Sequence, residues 1–443
     1  MSRVPKESKP QRERMLVCGV TFPDHPTEFD GELSEIRALA AAAEADVLGE
    51  GVVQRRQRAN PATLMGKGKV EEIKEEIIRL DPDAVLVDND LTPAQGRNLE
   101  KAWDRRVIDR SELILDIFSR RAQTRQARLQ VELAQNEYLA PRLRRMWTHL
   151  ERNEGAIGTR GPGETQLETD KRLLSKRIRD LKHELQTIEA RKQRQVRTRH
   201  EQYTIGLVGY TNAGKSTLLN YLTGADEFVA DMPFATLDTR TRQWRMPDGR
   251  LALLSDTVGF LQRLPHHLVA SFHATLEETL NADLLLHVVD ASHPDASTQM
   301  AAVTDVLNSL SPNLTPDVLV FNKIDRVEDP ISLHLLNEDP GQEIVYISAK
   351  SGEGVDRLTR LVSQRLDDRS SLVVVHIPVS DGRSVALVRS LGGILQESCV
   401  DDSELVIETR LSDGALGKLR RDMGADVRID VIEGRKRISA DPE

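Results

Sequence analysis

From residue 15 onwards, short apolar runs alternate with longer amphipathic stretches. The runs predict strands at 15–20, 47–53 and 84–87, and the stretches predict helices at 32–45, after Gly68 and after Pro93. Strands that alternate with helices favour a parallel sheet covered by helices. We therefore predict an N-terminal α/β domain over residues 15–119, preceded by a disordered tail over residues 1–14.

The pattern changes between residues 120 and 199. Two stretches there place apolar residues three and four positions apart, on either side of a glycine-rich break at 155–164. This spacing predicts an antiparallel helical hairpin with a flexible tip, kinked at Pro141. A pair of helices packed onto a domain is an alternative, because periodicity does not identify the partner.

A second alternation of strands and helices covers residues 203–366, and a smaller set of elements covers residues 372–443. Strand candidates at 203–208, 251–255, 318–321 and 344–347 favour a doubly wound, mostly parallel sheet. Strand and helix candidates after 372 predict a small α+β domain without a catalytic constellation. The predicted fold class is thus α/β, with a helical hairpin and a C-terminal α+β domain.

Charge singles out the predicted hairpin. Residues 120–199 hold 20 Lys and Arg against 10 Asp and Glu, whereas the whole chain has a net charge of −9. Such an asymmetry is typical of contact with a phosphate backbone, although a solvated helix face would also carry charge. We predict RNA contacts here, at Arg142, Arg144, Arg145 and Arg160.

Composition excludes several other classes. Aromatic residues make up 4% of the chain, which argues against stacking platforms for single-stranded nucleic acid. Cys18 and Cys399 are too far apart in sequence to predict a disulfide framework or a metal knuckle. The charged N-terminus and the lack of a ~20-residue apolar run predict a cytoplasmic protein without a membrane span. We expect a monomer when the protein is free.

A phosphate-binding motif follows the strand at 203–208. It comprises Gly209, Tyr210, Thr211, Asn212, Ala213, Gly214, Lys215, Ser216 and Thr217. A glycine-rich turn between a strand and a helix lets backbone N–H groups face phosphates. In this pattern Lys215 contacts the β- and γ-phosphates and the transition state, and Ser216 binds Mg²⁺.

Two further segments belong to a magnesium and γ-phosphate site. The first is Asp256, Thr257, Val258 and Gly259, and the second is Phe234, Ala235, Thr236, Leu237 and Asp238. We predict that Asp256 holds Mg²⁺ through water, that the Gly259 N–H senses the γ-phosphate, and that Thr236 is the second protein ligand of Mg²⁺.

The remaining motifs select guanine. They are Asn322, Lys323, Ile324 and Asp325, followed by Ser348, Ala349 and Lys350. The Asp325 carboxylate can accept hydrogen bonds from two guanine donors that adenine lacks, and the backbone of the second motif can bind the guanine O6. Each motif is short and common, but their order, each after an apolar strand, predicts an Mg²⁺-dependent GTPase that converts GTP to GDP.

No catalytic side chain is assigned by these motifs. In GTPases with a water-positioning glutamine, that residue follows the glycine of the DxxG motif, and here Phe260 occupies the position. Gln262 lies two residues further on. The sequence therefore predicts slow intrinsic hydrolysis that a partner stimulates.

The strings GYTNAGKSTL, FATLD, DTVGF, NKID and SAK, together with GAIGTRGPGETQLETDKR and LTPAQGRNLE, resemble the HflX branch of the translation-factor-related GTPases. The resemblance covers residues 15–370. It implies docking on the large ribosomal subunit and its RNA, and the splitting or rescue of stalled ribosomes. A large-subunit assembly factor and an RNA-binding module with a regulatory GTPase are the alternatives. The Gly66–Lys69 segment could bind phosphate, or it could simply begin a solvated helix.

Overall fold

A computed structural model defines the fold over the following parts of the chain: residues 12–23, 33–145, 162–198, 203–225, 232–234, 240–247, 249–261, 282–311, 314–328, 341–400, 403–424 and 426–433. These residues form two compact units. One holds the residues up to Leu185 together with residues 232–234, and the other holds the remainder. Among the described residues, no helix is both long and apolar enough to cross a bilayer.

The first unit contains a four-stranded parallel sheet in the order β2-β1-β3-β4. Its strands are β1 (Arg14–Thr21), β2 (Asp46–Arg55), β3 (Ala84–Val87) and β4 (Arg106–Asp109). Its helices are α1 (Ser34–Ala42), α2 (Lys67–Leu80), α3 (Pro93–Trp103) and α4 (Arg110–Arg121). All four residues of β3 are buried, as expected for a strand covered by helices on both faces.

Two further helices cover the region of the predicted hairpin, and the second of them crosses from the first unit into the second after Leu185. Helix α5 (Arg125–Leu139) continues into a 3-10 turn at Ala140–Arg145, which contains Pro141, and α6 spans Pro162–Thr198. Three ion pairs join the helices: Arg125 to Glu184, Glu132 to Arg177 and Glu137 to Lys182. These pairs hold α6 against α5, but their order along α6 is mixed, so the predicted antiparallel arrangement stays a prediction.

The second unit contains a six-stranded sheet in the order β10-β9-β8-β5-β7-β6, in which β6 alone is antiparallel. Its strands are β5 (Tyr203–Gly209), β6 (Arg240–Arg245), β7 (Leu251–Asp256), β8 (Leu284–Asp290), β9 (Val318–Asn322) and β10 (Glu343–Tyr346). Its described helices are α7 (Lys215–Thr223), α8 (Ala296–Leu310) and α9 (Val355–Asp368). Because β5 lies in the middle of the sheet, a phosphate loop at its end can reach the ends of the neighbouring strands.

The C-terminal elements follow the order βαββαβ. They are β11 (Ser371–Pro378), α10 (Gly382–Leu391), β12 (Gly393–Val400), β13 (Glu404–Leu411), α11 (Asp413–Asp422) and β14 (Arg428–Glu433). The sheet is antiparallel in the order β12-β13-β11-β14, and its core forms between the sheet and the two helices. The predicted fold class is confirmed, whereas the predicted domain boundaries remain predictions.

Candidate nucleotide site

The phosphate loop lies between β5 and α7, at the carboxyl end of the central strand. Gly214 precedes α7 with a φ of +93°, a conformation that L side chains rarely adopt. A Cβ atom at Gly214 would lie 2.2 Å from Asn322 Nδ2. The motif glycine is therefore required both by the turn and by the close approach of the next motif.

Lys215 is buried within this loop, where it is 6% exposed. Its ammonium donates to the carbonyl oxygens of Gly209 and Tyr210 at 3.0 and 2.9 Å. Burial lowers the pKa of Lys215 to about 8, while the nearby Asp256 carboxylate opposes that shift. The loop thus holds a cation whose charge a phosphate would stabilise.

Two oxygen donors lie side by side next to this lysine. Asp256 is fully buried at the end of β7, and the Ser216 hydroxyl donates to Asp256 Oδ2 at 2.5 Å. Oxygen is the donor that Mg²⁺ prefers. Among the described residues no cluster of three or more His, Cys, Asp or Glu side chains could hold a metal. Among the described residues, a cation here would therefore depend on these two groups, together with phosphate oxygens.

The DxxG segment is joined to the phosphate loop through its backbone. Phe260 N donates to Gly209 O at 3.1 Å, and Thr211 N donates to Phe260 O at 2.7 Å. A Cβ atom at Gly259 would lie 2.6 Å from Thr211 Cα, so this glycine is needed for the close approach. The Phe260 side chain is 2% exposed, which gives it a packing role and no means of orienting water.

Asn322 connects three loops at the opposite end of the site. Its amide nitrogen donates to Ala213 O at 2.9 Å, and its amide oxygen accepts from Ala349 N at 2.9 Å. Phosphate loop and guanine loops are therefore held in one arrangement by a single buried side chain. The sequence predicted that these segments converge, and the structure brings them together.

Asp325 is exposed and accepts a hydrogen bond from the Ser348 side chain, which lowers the pKa of the Asp325 carboxyl group. The carboxylate is therefore ionised and accessible, as recognition of two guanine donors requires.

Sequence reasoning missed one residue of this site, Asp290. Lys323, with a φ of +63°, donates to Asp290 Oδ2 at 2.6 Å, while Asp290 Oδ1 accepts from the Ser292 N–H and hydroxyl. The available signal was an acidic residue at the end of the buried strand β8, the same signal that identified Asp256.

Phe234 lies in the first unit, where it is 1% exposed and packs edge-on against Phe118 at a centroid distance of 4.6 Å. Ala235, Thr236, Leu237 and Asp238 lie outside the described residues. The magnesium role predicted for Thr236 therefore stays a prediction.

Of the four arginines predicted to contact RNA, Arg142 alone has a described side chain. Arg142 Nη2 donates to Leu91 O at 2.6 Å and to Asp109 Oδ2 at 3.1 Å, and the guanidinium stacks on the Tyr138 ring. Its side chain is 14% exposed, so the geometry favours an intramolecular role over the predicted RNA contact. The side chains of Arg144 and Arg145, and the whole of Arg160, lie outside the described residues.

Fold and site together define a P-loop GTPase. Three family models match successive parts of the chain: GTP-binding GTPase N-terminal over residues 30–119, GTP-binding GTPase Middle Region over 121–199, and 50S ribosome-binding GTPase over 204–323. The chain belongs to the HflX family of GTPases, and the predicted GTP hydrolysis is confirmed by that membership.

The relatives match nearly the whole chain. GTPase HflX of Lacrimispora saccharolytica is 42% identical over 90% of this chain and 94% of its own length. GTPase HflX of Escherichia coli is 42% identical over 86% of this chain and 89% of its own length. A GTP-binding protein of Sulfolobus solfataricus, solved in complex with GDP, is 22% identical, with a TM-score of 0.41 over 79% of this chain and 98% of that one.

Proposed function

We propose that this GTPase binds the large ribosomal subunit under the control of GTP and splits or rescues stalled ribosomes. The observation that supports this proposal best is the match of residues 204–323 to a family described as 50S ribosome-binding GTPases. The guanine and phosphate motifs of the chain also lie together, as GTP binding requires. The net positive charge of residues 120–199 supports an RNA partner.

In the proposed nucleotide site, backbone N–H groups of residues 209–217 and the Lys215 ammonium bind the phosphates. Asp325 accepts from the guanine N1–H and exocyclic amine, and the backbone of residues 348–350 contacts O6. Asp290 orients Lys323, whose stem covers one face of the base. Asn322 holds both halves of the site in register through its bonds to Ala213 and Ala349.

Ser216 and Asp256 fit a magnesium site, because they offer adjacent oxygen donors beside the phosphate loop. Ser216 would bind the cation directly, Asp256 would hold it through water, and Thr236 would be the second protein ligand. Mg²⁺, when bound, neutralises charge that develops on the phosphate oxygens. Lys215 stabilises the same charge, and the Gly259 N–H meets the γ-phosphate.

Slow intrinsic turnover is part of the proposal. Phe260 is buried where other GTPases carry a water-positioning glutamine, and no described side chain of the site replaces it. A partner must then supply the missing group, and help of this kind accelerates hydrolysis by ~10³–10⁵. We assign that role to the ribosome.

The proposed RNA contacts include an exposed stripe on α6. Arg172, Lys176 and Arg179 are spaced four and three residues apart, all are exposed, and none forms an ion pair with a described residue. The neighbouring Arg177 and Lys182 instead bridge to α5. The stripe is therefore one part of the described hairpin whose charge is available to phosphates.

Co-sedimentation with purified large subunits tests the proposal. We expect the full chain to sediment with mature subunits in a non-hydrolysable GTP analogue, more weakly in GDP, and more weakly as salt rises. Arg172→Glu/Lys176→Glu/Arg179→Glu should weaken binding and reduce the salt dependence, while Arg177→Gln serves as the control. Binding to precursor subunits alone would support an assembly role instead, and no binding to either would overturn the proposal.

A further inference from the structure

The C-terminal sheet has one face that its helices do not cover. Along β11, buried residues alternate with half-buried ones, and the buried Val373, Val375 and Ile377 belong to the core shared with α10 and α11. Residues opposite one another in antiparallel strands point to the same face. The half-buried positions of β11 and their cross-strand partners therefore form the other side of the sheet.

We call this side the acidic sheet face and define it by the positions that the register places there: Leu372, Val374, His376, Val400, Glu404, Val406, Glu408, Arg410, Arg428, Asp430 and Glu433. Register places these side chains together, since His376 pairs with Val406, Val374 with Glu408, and Val400 with Glu404. Asp430 pairs with Val374 from the opposite edge. The face thus has apolar side chains at its centre, with four carboxylates and two arginines around them.

Four carboxylates on this face, those of Glu404, Glu408, Asp430 and Glu433, outnumber its two arginines, and Arg410 and Arg428 each pair with one of them. Glu404 and Asp430 lie 3.5 Å from the two ring nitrogens of His376, and Arg428 is bound to Asp430 at 2.9 Å. Glu408 forms no ion pair with a described residue. The sequence of residues 371–433 has eleven Asp and Glu against seven Lys and Arg. Such a surface repels phosphates.

Nucleic acid is also disfavoured by composition, because residues 371–443 contain no Phe, Tyr or Trp. Sheets that bind single-stranded RNA stack bases on aromatic side chains, so this face lacks the means. The charge of the face and its lack of aromatic side chains together exclude single-stranded RNA, which four-stranded sheets of other proteins bind.

Exposed apolar side chains concentrate in the same domain. Of nine large apolar side chains that are exposed among the described residues, five lie between 371 and 433. Val379 and Val400 are 50% and 43% exposed and lie at one end of the sheet, where Val379 N donates to Ser403 O and Ser403 N to Val400 O. An apolar centre with a charged rim is the composition of a protein–protein interface.

We infer that the acidic sheet face docks a basic protein surface with apolar side chains between its lysines and arginines. This inference rests on the proposed ribosome binding. It identifies the partner as a protein of the large subunit and not as its RNA. The docking is then separate from the RNA contact of α6, which is basic.

Zero-length carbodiimide cross-linking of the full chain on large subunits tests the inference. The reagent joins carboxylates to lysine amines, so Glu404 and Glu408 should link to lysines of a ribosomal protein in the presence of a GTP analogue. RNA offers no such amine. Links from these residues to Lys436 of the same chain would instead identify its own C-terminal segment as the occupant and overturn the inference.

Charge reversal gives the second readout. Glu404→Lys/Glu408→Lys should weaken binding to the large subunit about tenfold, because like charges would meet across the interface. Asp422→Lys/Asp426→Lys makes the same charge change at exposed positions in and after α11 and should leave binding unchanged. Equal affinities, or tighter binding by the first variant, would overturn the inference, whereas failure of the unaltered chain to sediment would instead defeat the proposed function.

Discussion

Two cations in this chain, the half-buried Arg142 and the buried Lys215, are held in opposite ways. Arg142 of the first unit lies beside the Asp109 carboxylate, stacks on Tyr138 and donates to Leu91 O, so its charge has a close anionic partner. Lys215 of the phosphate loop donates to two carbonyl oxygens, and burial lowers its pKa to about 8. The first arrangement stabilises the fold, and the second favours an incoming phosphate.

The difference shows how a buried charge can be interpreted. A cation that is compensated by a carboxylate contributes to structure, and its removal leaves an uncompensated anion. Lys215 is held by carbonyl dipoles, and the nearby Asp256 carboxylate offsets only part of the cost of its burial, so a ligand that brings negative charge supplies the rest.

Matched substitutions test this comparison with the largest expected effects. Arg142→Met should lower the free energy of unfolding of the first unit by about 3 kcal/mol, because Asp109 is left buried without its cation. Lys215→Met should leave the nucleotide-free protein as stable as before but weaken GTP binding about 100-fold. Chemical denaturation and calorimetry give both quantities for both variants. Equal stability losses would contradict the comparison.

Guanine selection predicts the next largest effect. Asp325→Asn should weaken GTP binding by about 2 kcal/mol and improve binding of xanthosine triphosphate, because one acceptor toward the base becomes a donor. Asp325 is exposed, so the thermal stability of the empty protein should not change. Calorimetry with both nucleotides measures the exchange of preference, and an unchanged ratio of affinities would show that Asp325 does not contact the base.

Sequence reasoning succeeded where a pattern fixes the backbone. Gly214 and Gly259 each lie at a close approach that no side chain permits, so the spacing of their motifs already determines which residues meet. Net charge carries no such constraint. Twenty basic residues in 120–199 predict a positive surface, yet which arginine turns inward depends on the position of Asp109, 33 residues away from Arg142.

Asp290 was missed for a related reason. An acidic residue at the end of a buried strand can serve several purposes, and its ion pair with Lys323 becomes evident only from their 2.6 Å contact. The open face of the C-terminal sheet could not be predicted from the sequence either, because strand order decides which alternating positions share a face.

Asp290→Asn predicts a smaller effect. The substitution retains an acceptor for Ser292 but removes the ion pair with Lys323, and we expect GDP affinity to fall about fivefold. Asp305→Asn on α8, at an exposed position, is the matched control. In a Lys323→Met background the Asp290 substitution should have no further effect, and additive losses would show that Asp290 acts by another route.

The smallest effect is a pH dependence of nucleotide binding. Bound phosphates raise the pKa of Lys215 above its value of about 8 in the empty loop, so affinity is full below pH 8 and falls as pH rises beyond it. Between pH 7 and 8.5 we expect GDP affinity to fall about fourfold. His287, whose pKa burial lowers to about 4, stays neutral over this range. Calorimetry in buffers of different ionisation enthalpy should detect proton uptake at pH 8.5 and much less at pH 7.

The rate of GTP hydrolysis with and without large ribosomal subunits tests the central claim most directly. Because Phe260 cannot position water, the free protein should turn over slowly, and saturating subunits should accelerate it by ~10³-fold or more. The stimulation should weaken with salt and with reversal of the Arg172, Lys176 and Arg179 charges. A fast intrinsic rate that large subunits leave unchanged would contradict the account.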